Sequence, residues 1–357
     1  MPSSEDDDEE DEDYVGEVQP DDAEQFALSM LAQADAGAGA GGSTGASSRR
    51  RPRGKGRARS DDRSWVVREP VVGGPVDGSV IPSFLGHVAY HMQTTGQDRG
   101  LLKCQSRNVI SEQLIRWHHA MVPAARDILD GSGLAHIALS MLDHVDPPLI
   151  CAFVERWQPD TNSFHLPVGE MTILLHDVFY ILGLPVDGAL VQRLDTEDMD
   201  HEFGMLVQGD PGVVAAYCAG GYRSLQPKDV MAVLRRQGVD PGRQATGWLT
   251  VALGCLLFTD KSGNRFRPQE VVEAADHLGV GGYAWGSATL AYLYRQLGLA
   301  SRAGSRGISG CLTLLQVWIY EHFPCFRPVG EQRTERSPPL SCTWEIPVQV
   351  SYLFYLC

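Results

Sequence analysis

Residues 155–188 read ERWQPDTNSFHLPVGEMTILLHDVFYILGLPVDG, and this stretch limits the architecture more than any other. Just upstream, Asp146 is placed to cap a helix that opens on Pro147 and Pro148. Leu149, Ile150, Phe153, Val154 and Trp157 then recur at helical spacing and make one apolar face. Pro159 closes that helix, and Pro167 with Gly169 keeps Phe164, His165 and Leu166 out of helical geometry. Thr172 can cap a second helix that buries Leu174, Leu175, Val178, Phe179, Ile181 and Leu182. Gly183 fits the left-handed position just past its end, and Pro185 prevents continuation. The expected unit is helix, extended elbow, helix.

The same punctuation continues along residues 79–324, where apolar periodic segments alternate with Gly and Pro. Ser83 can cap a helix running to residue 94, and 106–121 forms another. Shorter helices are expected over 123–129 and 134–142, ahead of the Asp146 helix. After the elbow come 227–237, stopped by Gly238, and 246–258, apolar on most sides and therefore central. Residues 268–278 open on proline and end at Gly279; 287–297 lie between a serine cap and Gly298; 308–322 end before Pro324. No period-two alternation runs long enough here to predict a sheet. The expected class is all-α, a single domain of about ten helices.

The elbow and its flanks carry a resemblance. Phe164, His165, Leu166, Pro167, Gly169, Glu170, Thr172, Leu175, Asp177 and Val178, then Leu182, Gly183, Leu184, Pro185, Asp187 and Gly188, match the hallmark of the plant mobile domain. This domain is also called MAIN-like or "aminotransferase-like". Further blocks resemble it at 257–268 (LFTDKSGNRFRP), at 283–324 and, more weakly, at 100–107 (GLLKCQSR). Several blocks in order are far more specific than one motif. The resemblance covers roughly 80–324, whereas 325–357 departs from it as a divergent or truncated C-terminal segment. It implies a nuclear, non-enzymatic plant protein acting in meristem maintenance, transposon silencing and genome stability. The implied mechanism is scaffolding among nuclear proteins, with a protein phosphatase among the candidate partners. A transposon-derived nucleic-acid-binding protein is the second reading, and a pyridoxal-phosphate enzyme the third.

Charge separates the first 79 residues from the rest. Of the residues behind a net charge of −15, thirteen Asp and Glu fall within positions 1–24, nine of them in an unbroken run at 5–13. A Gly/Ala/Ser linker follows at 36–48, then RRRPRGKGRAR at 49–59. Such composition predicts a disordered tail. Residues 23–33 could form a short amphipathic helix, although an unstructured stretch is the simpler reading. The cluster Arg49, Arg50, Arg51, Arg53, Lys55, Arg57 and Arg59 reads as a nuclear-localisation segment. The same charges could touch nucleic acid weakly and nonspecifically, but no aromatic residue interleaves them to stack on bases. There is no N-terminal apolar signal region and no uncharged run long enough to cross a bilayer, so a soluble intracellular protein with no membrane partner is expected.

Candidate chemistry is thin. The eight cysteines show no Cys-x-x-Cys pair and read as free thiols, with Cys151, Cys255 and Cys311 on apolar helix faces. Gly37, Gly39 and Gly42 spell G-x-G-x-x-G, and residues 41–45 spell G-x-S-x-G. Both lie in the linker, without the strand and helix those motifs need. His87 and His91 stand at i, i+4 like a metal pair but lack a third ligand, so structural roles are favoured. His118 and His119 are adjacent and diverge on a helix. His165 near Glu170 and Asp177 could serve acid–base work, yet no nucleophile accompanies it, and fixing the elbow is the simpler role. A pyridoxal cofactor needs a Schiff-base lysine; Lys261 is the plausible one of four, and its surroundings read equally well as a turn. No enzyme activity, cofactor or metal is expected.

Overall fold

Ten α-helices carry the chain among the described residues. They are α1 (Val88–Thr95), α2 (Asn108–Ala120), α3 (Pro123–Gly131), α4 (Pro147–Val154), α5 (Leu175–Leu182), α6 (Pro211–Cys218), α7 (Pro227–Leu234), α8 (Pro241–Ala252), α9 (Trp285–Ala300) and α10 (Leu312–His322). The computed structural model describes residues 74, 81–191, 203–204, 206–207, 210–218, 224–261, 265–266, 282–328 and 339–343. The tail, apart from Gly74, the helix expected over 268–278 and everything past 343 lie outside the described residues. What is described is one mostly helical domain within the compact unit Arg68–Cys357.

Two helices are buried on nearly every side. In α8 every residue from Gln244 to Ala252 is buried, and α2, α3 and α7 pack around it. Its N-cap is Asp240, whose carboxylate accepts from Arg243 N at 3.1 Å, so the helix starts before the expected residue 246. A π-turn, Leu253–Leu257, prolongs it to the buried Phe258. In α10 all residues from Leu312 to Tyr320 are buried, against α4 and α5. Two buried polar side chains of α10 are spent on neighbours: Thr313 Oγ1 accepts from Leu142 N at 3.2 Å and Gln316 Oε1 from Asp146 N at 2.9 Å. Such paired groups avoid the desolvation cost of orphaned ones.

Other expected boundaries shift for identifiable reasons. The helix expected from Ser83 divides into a 3₁₀ turn, Pro82–Gly86, and α1, capped by His87 rather than serine. Residues 134–142 yield only a 3₁₀ turn, Ala135–Ala138. Helix α9 runs through Gly298, where an added Cβ would lie 3.3 Å from Pro159; that glycine admits a close approach rather than stopping the helix.

The main correction concerns the elbow, which is a sheet. Three antiparallel strands lie in sequence order: β1 (Trp157–Gln158), β2 (Ser163–Leu166) and β3 (Gly169–Met171). Trp157 pairs with Phe164, Phe164 with Met171 and His165 with Glu170. Helix α4 therefore ends at Val154, and Trp157 reaches the core from a strand. The turn between β1 and β2 places Asn162 at φ 50°, a left-handed conformation that asparagine tolerates.

Candidate functional site

The sheet is short and is held by aromatic rings. Phe164 stacks on Trp318 of α10 at 5.3 Å and 26°. It meets Trp157 edge-on at 4.8 Å and Phe153 of α4 at 5.6 Å. Trp157 also lies 4.9 Å from Tyr294 of α9. Phe323 and Phe326, at the end of α10 and in the 3₁₀ turn after it, close on Phe153. These rings from helices α4, α9 and α10 and strands β1 and β2, with those just past α10, pin β1 and β2 to the helical core, and offset or edge contacts add to their area burial.

Above that anchor, the hallmark's polar groups bond to each other and to the backbone. Ser163 Oγ donates to Glu170 Oε2, and His165 Nδ1 lies 3.4 Å from Glu170 Oε1. The imidazole and carboxylate are each nearly half exposed on the outer face. Thr172 does not cap a helix: its hydroxyl donates to Asn162 O at 2.7 Å and touches Tyr294 Oη at 2.7 Å. The cap of α5 is Asp177, whose Oδ2 accepts from Leu174 N at 2.8 Å. Asp177 is buried, and its Oδ1 faces His176 at 3.2 Å and His322 at 3.4 Å. Leu174, Leu175 and Phe179, expected in the core, stand 48%, 43% and 45% exposed. Leu174 precedes α5, and within the helix, which packs on α9 and α10, it is Val178, Ile181 and Leu182 rather than Leu175 and Phe179 that are buried. The tip of the β2–β3 turn leaves Pro167 exposed and Val168 75% exposed.

The hallmark's last part docks on the start of α9. Gly183, at φ 69°, ends α5, and His136 Nε2 bonds Leu182 O at 2.8 Å. Leu184 is fully buried, and Pro185 O accepts from Gly286 N at 2.7 Å. Asp187 is exposed. Gly188, at φ 133°, lies so close to Gly282 O that a side chain there would collide with it, and Ala189 N donates to that oxygen at 2.7 Å. The other blocks converge too. Thr259 Oγ1 accepts from Gly310 N at 2.8 Å, Arg107 donates to Asp260 O at 3.0 Å, and Lys103 N donates to Arg306 O at 2.9 Å. Segments far apart in sequence thus meet at backbone-level contacts.

Other candidates are placed outside this assembly. His87 is buried. Its Nδ1 accepts from Ala89 N at 3.0 Å and its Nε2 bonds Trp157 O at 2.8 Å, so neither nitrogen is left for a metal shared with His91. Burial pushes its pKa down from 6.5 to about 4. His118 bonds Asp130 at 2.9 Å. Lys261 is exposed. Cys151, Cys255 and Cys311 are buried free thiols. Burial pushes Cys255 and Cys311 up to about 12, far from the thiolate a nucleophile needs. The basic residues at 49–59 lie outside the described residues. Among the described residues no group of His, Cys, Asp and Glu is arranged to hold a metal. Sequence reasoning did not single out Tyr294, Trp318 or His322. The signal available was that all three lie in the block at 283–324.

A mostly helical domain with a small three-stranded sheet pinned by rings from α4, α9 and α10, and with the blocks at 100–107, 257–268 and 283–324 joined by hydrogen bonds, defines an α-domain built around an architectural joint. The Plant mobile domain family matches residues 133–352, and the chain belongs to that family. The matched range starts and ends later than the 80–324 outlined by the motifs. The chain is 33% identical over 260 residues to Protein MAINTENANCE OF MERISTEMS of Arabidopsis thaliana, covering 70% of this chain and 51% of that protein. It is 32% identical to Protein MAIN-LIKE 1 of the same plant over 76% of this chain and 53% of the relative. It is 33% identical to Serine/threonine-protein phosphatase 7 long form homolog of Arabidopsis thaliana, over 59% of this chain but 16% of that protein. The chain thus spans about half the length of the first two relatives. No solved structure matches it.

Proposed function

We propose that this protein is a nuclear, non-enzymatic interaction scaffold acting in meristem maintenance, transposon silencing and genome stability. The observation that supports this reading is the β2–β3 turn. A strand fixed by buried rings holds out an exposed tip, Pro167 and Val168, beside the exposed His165–Glu170 pair. A rigid support under a small apolar and charged tip lowers the ordering cost of binding a protein partner. The polar hallmark residues Thr172 and Asp177 are committed to the joint itself. The name of the first relative supports the meristem role, and the name of the phosphatase relative makes a protein phosphatase a candidate partner.

The test uses the full chain carrying Val168→Asp and Glu170→Ala. Both positions are exposed, so melting should stay within about 0.5 kcal/mol of the parent. Affinity purification from plant nuclei should then lose the partners that the parent retains. A folded double variant with the same partners would remove the turn from the proposal.

A further inference from the structure

Strand β3 is an open edge. The sheet runs β1, β2, β3, and among the described residues no strand or bridge pairs with the far side of β3. The direction of its free backbone groups follows from the register. His165 N donates to Arg156 O at 2.7 Å, on the β1 side of β2. In an antiparallel ladder the N–H and C=O of one residue share a side, and successive residues alternate. Phe164 and Leu166 are therefore the residues turned towards Met171 and Gly169, whereas His165 and Glu170 are opposed without ladder bonds. The N–H and C=O of Glu170, an exposed residue, thus point away from β2.

Side chains sort by the same alternation. Phe164 and Met171 share the inner face, where Met171 packs on the core, and His165 and Glu170 share the outer one. A Cβ added to Gly169 would meet nothing within 4 Å, so there is room beside it. Between Ser163 and Met171 the only carboxylate is that of Glu170. An unpaired edge recruits extended chains, with main-chain bonds giving affinity and side chains choosing the partner. A second copy of this chain fits badly. Two β3 strands centred on Glu170 would set like carboxylates directly opposite each other, which is destabilising, whereas a lysine or arginine there is favoured. We infer that β3 accepts an extended segment of a partner protein as a fourth strand, with a basic residue opposite Glu170 and apolar residues flanking it beside Gly169 and Met171. The inference names the kind of partner for the turn at Pro167 and Val168, and it rests on the reading of that turn as a partner surface.

The probes are two fluorescein-labelled heptapeptides, VTVKVTV and its glutamate-centred counterpart VTVEVTV. The full chain should bind the lysine peptide several-fold more tightly, and Glu170→Lys should reverse that order. Glu170→Thr keeps the outward N–H without the charge and should bind both alike. Glu170→Pro removes an N–H that β2 does not use, and should weaken binding of either peptide at least several-fold relative to Glu170→Thr. Amide exchange read by NMR in the parent needs no variant: the lysine peptide should slow Glu170 several-fold and leave His165 unchanged. No binding, binding that leaves the Glu170 amide unprotected, or a folded Glu170→Pro protein that binds like Glu170→Thr would overturn the inference. Its failure is distinct from that of the turn. Nuclear partners lost from Val168→Asp with Glu170→Ala but kept by Glu170→Pro would leave a contact surface without strand addition. Peptide binding as expected, with no partner lost from the first variant, would strike the turn's role in the nucleus instead.

Discussion

The imidazole of His87 is held as a neutral ring. Its Nδ1 accepts the first free backbone N–H of α1, so the proton must sit on Nε2, which donates to Trp157 O. One side chain therefore caps a helix and anchors β1. Burial is the main reason its pKa falls from 6.5 to about 4. The folded state disfavours the proton that the unfolded chain accepts below pH 6.5, so this residue's contribution is intact above 6.5 and drains away as pH falls towards 4. The full gap corresponds to about 3 kcal/mol. Burial raises the carboxyl pKa values of Asp146 and Glu155, and their protonation acts in the opposite direction on acidification. The informative comparison is therefore with His87→Asn, which keeps a cap acceptor but does not titrate. Denaturant melts at pH 7 and pH 4.5 should show the parent losing about 2–3 kcal/mol more than the variant. Parallel losses would mean that His87 is not the titrating group.

At the scale of elements, α5 depends on one carboxylate inside its first turn. Asp177 accepts from Leu174 N and is buried against His322, so Asp177→Ala should cost about 1–2 kcal/mol. Asp177→Asn, which retains a cap acceptor, should recover most of it. Glu170→Ala, on an exposed strand edge, should shift stability by less than about 0.5 kcal/mol. Thermal melts of the three variants rank them, and an Asp177→Ala protein as stable as the parent would contradict the capping role. Asp146 was legible in sequence because the cap and two prolines are adjacent, and its Oδ1 does accept from Leu149 N at 3.1 Å. Thr172 misled because its hydroxyl has better partners in Asn162 and Tyr294, which only the folded chain supplies. The sheet was invisible because strands of two to four residues are shorter than any window in which alternation can be counted. Phe179 looked buried because its helix has apolar residues on more than one side, and sequence alone does not say which side meets α9 and α10. The helical class was readable because caps, glycines and periodic apolar positions agree along most of the chain.

For the whole molecule, the uneven charge of the sequence leads to predictions about the tail. Seven basic residues within positions 49–59 form a cluster suited to an import receptor. Replacing Arg49, Arg50 and Arg51 with alanine should move a fluorescent fusion towards the cytoplasm; an unchanged nuclear signal would end that assignment.

Those same charges set the character of any binding to nucleic acid. If all seven met phosphates, the logarithm of affinity would fall with the logarithm of salt at a slope of about −6. The acidic run at 5–13 competes with phosphate for those cations, so the slope of the full chain should be shallower. Binding to random duplex DNA should therefore be weak and sequence-independent. It should strengthen when residues 1–24 are deleted and disappear when residues 1–79 are deleted. Titrations of the three proteins at two salt concentrations, on random and on selected DNA, measure each of these outcomes. A protein lacking residues 1–79 that still selects a consensus site at physiological salt would place recognition in the helical domain. The scaffold would then give way to a sequence-reading protein of transposon type.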